Sequence, residues 1–464
     1  MALTVSYRHP AGVAPSAAER PLLSTPEGGF VALDDGLAAL WRAADGRALD
    51  DLIAGTPPHP DLEGIVPESL ACLAEGGLLQ RSADSNAGPE AAPPPPGTGG
   101  PRVTAVIIVS VPAELQWLDD CVRALMRQEY PTDILVLDNA VGIEMRSWLT
   151  ERGLEARVHS LQTRTNFSSA LNAGCAAAAG ADYFLLLNAD MKADRRCVAH
   201  LVARATATPG CAAVAPKLYL WRAPAFLNGI GNRVPGWGYG TDNGIGQLDL
   251  SQLDDWTEVP SGCLGALLVS ALALKTIGRF DTRYPLYYED TDWCYRARLE
   301  GLHIAAAPRA FLFHAFGATW SGAEPSAMAT RKLESVVIGQ LRFGLKVGSP
   351  GRAAILTSHA LKDASMNVLG AIKHGRGSTL AAYARATAKT LMGLPSLLIE
   401  RRRIQARRRV ADADVFRGGD DLTPSFFWRN LPELTCHAIR TYYAPLMRAG
   451  RTRTLPEIHS PGRR

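Results

Sequence analysis

The stretch VTAVIIVSV, residues 103–111, determines the fold of this chain. It is a nearly continuous apolar run of mostly β-branched residues, a pattern typical of a strand buried on both faces of a parallel sheet. Two similar runs follow, ILVL at 134–137 and YFLLL at 183–187, and Leu115 to Leu125 has the apolar spacing of a helix. This alternation predicts a doubly wound, mostly parallel α/β sheet. Ligands of such sheets bind at the carboxyl ends of the strands, so polar residues there are the first candidates for a site.

A proline- and glycine-rich stretch separates this sheet from the N-terminus. It contains four consecutive prolines, and such a composition cannot pack a core. The chain of 464 residues is also long enough for several cores. The predicted segments are a small winged-helix α+β module (1–82), the linker (83–101), the α/β domain (102–322) and a helical, basic C-terminal region (323–464).

The bulk composition excludes several classes of protein. The chain is 47% hydrophobic and 20% charged, which is typical of a globular protein, and its formal charge of +4 is too small to indicate nucleic-acid binding. The N-terminal module also lacks a basic recognition helix. None of the eight cysteines has CxxC spacing, so no zinc site is predicted. We see no signal peptide and no apolar run of the ~20 residues that a membrane span needs, and therefore expect a cytoplasmic protein.

Carboxylates follow two of the predicted strands. Asn188-Ala189-Asp190 ends the third run, and Asp138 ends the second. Mg²⁺ and Mn²⁺ prefer oxygen ligands and often combine one or two carboxylates with substrate phosphates, so Asp190 is a candidate metal ligand. An acid in the position of Asp138 can accept hydrogen bonds from a nucleobase or ribose. The alternative in both places is a turn stabilised by the side chain itself.

The densest group of acids follows two tyrosines. Glu289, Asp290 and Asp292 lie within four residues, and such a group is costly to bury unless it is used. The alternative is a helix N-terminus, where acids favour the helix dipole. His314 follows an apolar strand and is either a core histidine or a further metal ligand beside an aspartate.

Taken in order, these segments resemble the family 2 glycosyltransferases with a GT-A fold, in particular their rhamnosyltransferase-like bacterial branch. The resemblance covers about half of the chain, and the ordered set is more specific than any one motif. The matching segments are 103–111, Gln128–Pro131, Leu137–Asn139, Asn172–Gly174, Leu187–Asp190, Ser261–Gly262, Gly278–Asp281, Tyr288–Asp292 and His314.

The resemblance implies a role for each candidate. Asp138 would contact the nucleotide base. Asn188 and Asp190 correspond to the family's D-x-D-like element, in which Asp190 would hold a divalent metal and the donor diphosphate. His314 would be a further metal ligand, and Asp290 the catalytic base.

The implied activity is an inverting, metal-dependent transfer of a sugar from a nucleotide-sugar donor, with Mg²⁺ or Mn²⁺ as cofactor. Glu289, Asp292 and Trp237 would lie near the donor or the acceptor. Trp237 belongs to the segment Gly236–Gly240, which suits either a mobile acceptor loop or a plain turn. The alternative function is a degenerate, non-catalytic transferase fold that binds peptides, because motifs of the donor site such as the family's Gly-Ser-x-Asp are missing after Asn139.

The flanking segments bear on the acceptor. Residues 20–82 resemble the PqqD-like modules, which bind peptide leaders in some peptide-modifying systems, so the acceptor is either a ribosomal peptide or a cell-envelope or lipid-linked glycan. The C-terminal helices carry an arginine run at 401–409. This run is typical either of peripheral contact with the inner face of the cytoplasmic membrane or of a solvated basic surface.

Overall fold

The structure is a computed structural model that describes most of the chain from residue 100 to residue 418. Most of the predicted linker 83–101 and the candidate Trp237 lie outside the described residues. The described ranges are 100–221, 223–235, 240–245, 253–315 and 325–418, with 4–8, 14–15, 22–24, 30–32, 35–48, 51–52, 66, 69–70, 73 and 79–84 near the N-terminus.

The N-terminal pieces combine short strands with a helix around a small core. The elements are β1 (Thr4–Arg8), β2 (Ala14–Pro15), β3 (Leu22–Ser24), β4 (Phe30–Ala32), α1 (Asp35–Ala44), β5 (Arg47–Ala48) and β6 (Gln80–Asp84). In the described part, β1 pairs antiparallel with β5 and β6, and β3 pairs antiparallel with β2 and β4. Trp41, Leu70 and Leu73 are buried in one cluster. These pieces contain both helix and strand, and the PqqD-like module stays a prediction.

A nine-stranded sheet forms the centre of the chain. Its strands are β7 (Val103–Val109), β8 (Thr132–Asp138), β9 (Arg157–Ser160), β10 (Tyr183–Asn188), β11 (Met191–Ala193), β12 (Cys211–Leu220), β13 (Ala223–Ile230), β16 (Ala266–Ser270) and β17 (His303–His314). The order is β11-β17-β12-β16-β10-β7-β8-β9, and β13 pairs with β12. Six strands run in one direction, while β11, β13 and β16 run against them. The predicted mostly parallel α/β sheet is therefore confirmed.

The apolar run that predicted the fold is the central strand β7. All seven of its residues are buried, because helices cover both faces of the sheet. Ile107 lies in the core on one face, whereas Val106 lies in the core on the other, where Gly174 of a covering helix comes very close. A Cβ on Gly174 would stand 2.5 Å from Val106 Cγ1, so glycine permits this contact.

The helices of the domain follow the strands, and four more form the C-terminal region. They are α2 (Leu115–Met126), α3 (Met145–Thr150), α4 (Phe167–Ala177), α5 (Cys197–Ala207), α6 (Ala271–Ile277), α7 (Glu289–Leu299), α8 (Pro325–Val347), α9 (Pro350–Lys373), α10 (Gly377–Ala406) and α11 (Asp412–Val415). The predicted helical C-terminal segment is thus confirmed. Among the helices of the described residues, none is long and apolar enough to cross a bilayer.

The C-terminal helices pack directly on the α/β domain. Phe343 of α8 contacts Tyr288 and Tyr295, with ring centroids 5.8 and 5.0 Å apart, and all three belong to one buried cluster. Helix α8 therefore covers α7, the helix that begins with the predicted acids. The boundary at 322/323 stays a prediction.

Candidate active site

Asp190 and His314 meet at the carboxyl edge of the sheet. Strand β10 ends at Asn188 and β17 ends at His314, and the short strand β11 pairs Met191 with His314. The Ala315 N–H donates to the Asp190 carbonyl at 3.0 Å. This pairing leaves His314 Nε2 3.4 Å from Asp190 Oδ2. The fold therefore brings together two candidates that are 124 residues apart in sequence.

The chemistry of this pair fits a divalent metal. Asp190 is only 3% exposed, and its buried Oδ1 has no hydrogen-bond partner in the described part of the chain. His314 Nδ1 contacts the amide oxygen of Asn228, which can only accept, so the proton is assigned to Nδ1 and the lone pair to Nε2. The carboxylate suits Mg²⁺ or Mn²⁺ if substrate phosphates supply further ligands, and the imidazole nitrogen, a usual ligand of transition metals, favours Mn²⁺ of the two. In the ranges that the structure covers, no three His, Cys, Asp or Glu residues form a metal site by themselves.

Asp290 lies in the first turn of α7 and is held by donated hydrogen bonds. Its Oδ2 accepts from the Leu264 N–H at 3.1 Å and from Asn232 Nδ2 at 3.4 Å, and its Oδ1 accepts from the Thr291 N–H at 2.7 Å. Burial raises the pKa of the Asp290 carboxyl despite these bonds. The residue therefore combines a fixed orientation with increased basicity.

Glu289 precedes Asp290 and is more deeply buried. Its side-chain Oε2 has no hydrogen-bond partner among the described residues. Burial, with the negative charge of Asp290 as a second cause, raises the pKa of Glu289 to about 8. The carboxyl of Glu289 is therefore mostly protonated at neutral pH, so the two adjacent acids do not carry two full charges.

The chain enters α7 through two residues with left-handed backbone. Tyr287 and Tyr288 have φ of 66° and 69°, a region that costs a residue with a side chain roughly 1–2 kcal/mol. Packing holds Tyr288 there: its hydroxyl accepts from the Gly240 N–H at 2.9 Å, and its ring lies against α8. A Cβ on Gly339 of α8 would stand 2.5 Å from the Tyr288 ring, so glycine makes room for it. The C-terminal region thus supports the start of α7.

Asp242 is a site residue that sequence reasoning missed. It lies in β15 (Thr241–Asp242), which pairs with β14 (Asn232–Arg233) so that Asp242 stands opposite Asn232. Burial and the negative charge of Asp290 raise the pKa of Asp242 to about 7, while His314 opposes the rise. Asp242 is therefore close enough to both Asp290 and His314 to interact with their charges. The signal in the sequence is the polar group Asn228, Asn232, Asp242 and Asn243 between apolar segments.

Asp138 and its neighbour Asn139 organise the loops at the end of β8. Asp138 is buried, and its Oδ1 accepts from the Val141 N–H at 2.9 Å, which is the turn that the sequence left open as an alternative. The Asn139 amide donates to Ser110 Oγ and to the Thr165 carbonyl at 3.0 and 3.1 Å. The contact of Asp138 with a nucleotide base stays a prediction.

Asn188 and Asp292 have different surroundings. The Asn188 N–H donates to the Gly265 carbonyl at 3.0 Å. This bond joins β10 to the loop whose Leu264 N–H donates to Asp290. The carboxylate of Asp292 is completely buried and forms ion pairs with Arg296 and Lys346, both at 2.8 Å. The structure therefore does not bring Asp292 together with the other acids, and its predicted place near donor or acceptor stays untested.

The first part of this sheet matches a known protein family. Residues 106–226, about a quarter of the chain, match the family model described as glycosyl transferase family 2. The match contains Asp138, Asn188 and Asp190. It confirms the predicted resemblance and the predicted class of enzyme, a glycosyltransferase. No curated protein matches the sequence.

The solved structures that match this chain share little sequence with it. The mannosyltransferase PcManGT from Pyrobaculum calidifontis, in complex with GDP-Man and Mn²⁺, is 16% identical to this chain, with a TM-score of 0.39. The match covers 67% of this chain and 89% of the PcManGT chain. S. aureus TarS 1-349 is 13% identical, with a TM-score of 0.39, and the match covers 66% of this chain and 88% of the TarS chain. GalNAc-T7 with UDP, GalNAc and Mn²⁺ is 12% identical, with a TM-score of 0.40, and the match covers 56% of this chain and 55% of the GalNAc-T7 chain.

Proposed function

We propose that the chain is an inverting, metal-dependent glycosyltransferase that moves a sugar from a nucleoside diphosphate to an acceptor hydroxyl. The observation that carries the proposal is the assembled edge of the sheet. There, Asp242 lies within electrostatic reach of both His314, which contacts Asp190, and the oriented carboxylate of Asp290. A fold that had lost its activity would not need to gather the carboxyl groups of Asp190, Asp242 and Asp290, of which Asp190 is buried, at one edge of the sheet.

Asp190 and His314 would hold the divalent ion. When bound, the ion stabilises the negative charge that grows on the leaving diphosphate. The Asn228 contact on His314 Nδ1 keeps the Nε2 lone pair directed toward Asp190. Asp138 and Asn139 hold the loop at which the resemblance places the nucleotide base.

Asp290 acts as the general base. Its carboxylate takes the proton of the acceptor hydroxyl while the hydroxyl oxygen bonds to the anomeric carbon and the bond from that carbon to the diphosphate oxygen breaks. A single displacement of this kind inverts the anomeric centre, by the same logic as in inverting glycosidases. The Leu264 N–H and Asn232 amide orient the base, and protonated Glu289 adds no full charge that would repel the diphosphate.

The acceptor follows from the flanking segments. If residues 20–82 are PqqD-like, they recruit a ribosomal peptide to the transferase. If they are not, a cell-envelope or lipid-linked glycan is the proposed acceptor, in a bacterial cytoplasm and with the enzyme at the inner face of the membrane.

Asp190→Ala tests the metal site. With Mn²⁺ and a panel of UDP-, GDP- and dTDP-sugars, we expect one donor to release its nucleoside diphosphate, a chelator to abolish the release, and Asp190→Ala to lower the rate by about 100-fold or more. Asp133→Ala is the matched control, because that half-exposed carboxylate pairs with Arg157 at the opposite end of β8. A metal-independent release that survives in Asp190→Ala would contradict the proposal. No release and no nucleotide binding would favour a degenerate, peptide-binding fold.

The pH profile tests the base. Because Asp290 must be deprotonated and its pKa is raised, we expect kcat/KM at saturating Mn²⁺ to rise with pH through a midpoint above the ordinary aspartate value of 3.8. In Glu289→Gln the rise should keep its midpoint, because Glu289 is still protonated when Asp290 ionises, whereas any second change near pH 8 should disappear. A rate that falls as the pH increases from 4 to 7 would contradict a carboxylate base.

A further inference from the structure

Among the described residues, the exposed large hydrophobic side chains are concentrated on two helices. The described residues expose twelve of them, and nine lie on α9 and α10. We call this surface the apolar–basic face. Its apolar members are Ile355, Leu361, Met366, Leu369 and Ile372 of α9 and Leu391, Met392, Leu398 and Ile399 of α10.

The spacing of these residues places them on one side of each helix. On α9, Ile355, Met366 and Leu369 recur at intervals that bring them onto the same stripe, and Leu361 and Ile372 border it. The opposite side of α9 is buried, as Leu356 and Ala360 show. On α10 the exposed positions 391, 392, 398 and 399 follow the intervals of seven and eight residues of a single stripe. Each helix therefore has two apolar sides, one packed against the protein and one exposed.

Cations accompany the apolar residues, and acids do not. Lys362 and Lys373 of α9, Arg376 in the connecting turn, and Arg402 and Arg403 of α10 are all exposed. None of them has an ion-pair partner in the ranges that the structure describes. No exposed residue of α9 or α10 is an aspartate or glutamate.

The two acids of α9 and α10 are less exposed than these cations. Glu400 of α10 pairs with Arg283 and Arg342, and Asp363 of α9 is half-buried and near Tyr383. Arg385 and Lys389, two further cations of α10, pair with Glu334 of α8. The five exposed cations therefore outnumber the one half-buried acid beside them, and the face carries a net positive charge.

We propose that the apolar–basic face docks on the surface of an anionic lipid bilayer. Apolar side chains on a helix that lies in the interface bury themselves among the acyl chains, while lysine and arginine reach back to the anionic headgroups. A second copy of this face would bring like charges together, whereas an anionic membrane complements both the apolar and the basic residues. No described helix can span the bilayer, so contact is with its surface. The inference does not rest on the proposed sugar transfer.

Vesicle flotation with the full chain tests the proposal. We expect binding to vesicles of equal parts phosphatidylcholine and phosphatidylglycerol, much weaker binding to phosphatidylcholine alone, and partial release in high salt because surface charges are screened. Lys362→Gln with Lys373→Gln should weaken binding about five-fold per lysine, from ~1 kcal/mol for each cation near the surface.

Met366→Glu with Leu369→Glu should abolish binding, because both changes place acids in the apolar stripe. Leu272→Glu is the matched control: Leu272 is 74% exposed on α6, outside this face, and its substitution should leave vesicle binding unchanged. Circular dichroism confirms that each variant is folded. Absence of vesicle binding by the full chain, or equal binding by the paired glutamate variant, overturns the proposal. A wild-type dimer that dissociates in the paired variant, without lipid binding, would assign the face to self-association instead.

Discussion

Asp290→Asn lowers the rate of sugar transfer by about 10²- to 10⁴-fold while nucleotide-sugar binding is retained. The amide has the shape of the carboxylate and can still accept a hydrogen bond from the Leu264 N–H, so α7 keeps its position. It cannot accept the proton of the acceptor hydroxyl, which is the task that we assign to this residue. Transfer is measured with the donor identified in the panel, and binding by calorimetry.

A control variant and an alternative base accompany this prediction. Asp119→Asn changes a carboxylate on the surface of α2 whose ion-pair partner among the described residues is Arg123, and it should leave transfer unchanged. If Asp290→Asn retains near-normal turnover, Asp290 is not the base. Asp242 is then the next candidate, because its pKa of about 7 and its place beside Asp290 suit the same role.

Lys346→Met destabilises the protein by about 3–5 kcal/mol, the cost of removing one partner from a buried ion pair. Lys346 of α8 is almost completely buried and contacts Asp281 at 2.7 Å and Asp292 at 2.8 Å. Arg342 shares Asp281, at 2.6 Å, and also pairs with Glu400 of α10. The substitution leaves two buried carboxylates with less compensating charge. Urea unfolding followed by the fluorescence of tryptophan measures the loss.

A surface lysine and a double variant serve as controls. Lys192→Met removes a half-exposed lysine that is 3.9 Å from Asp120 and should change stability by less than about 1 kcal/mol. Lys346→Met combined with Asp292→Asn should be less destabilising than the sum of the two single changes, because each alone leaves a charge without its partner. A cost for Lys346→Met no larger than that for Lys192→Met would show that the buried cluster does not hold α8 against α7.

This cluster links the C-terminal helices to the candidate active site. Asp281 precedes the two strained tyrosines, and Asp292 lies two residues after the proposed base. Cations from α8 hold both acids, and Gly339 of α8 accommodates Tyr288. The position of Asp290 therefore depends on residues more than forty positions later in the chain.

The sequence alone determined the architecture and the edge of the sheet that carries the candidate site. Buried strands such as 103–109 and 183–188 are apolar throughout because both of their faces are covered, and this requirement can be read locally. The chain direction of a parallel sheet then places Asp138, Asn188 and His314 at one edge. The spacing of apolar residues likewise predicted the helices after residue 323.

Only the tertiary structure decided how the acids are used. Asp290 and Asp292 are equivalent in sequence, two acids at one helix N-terminus, yet one is held by neutral N–H donors and the other by Arg296 and Lys346. Asp242 enters the site because β15 pairs with β14. The partners in each case come from distant segments, and a carboxylate's charge, basicity and orientation are set by the groups that surround it in space, which no local pattern specifies.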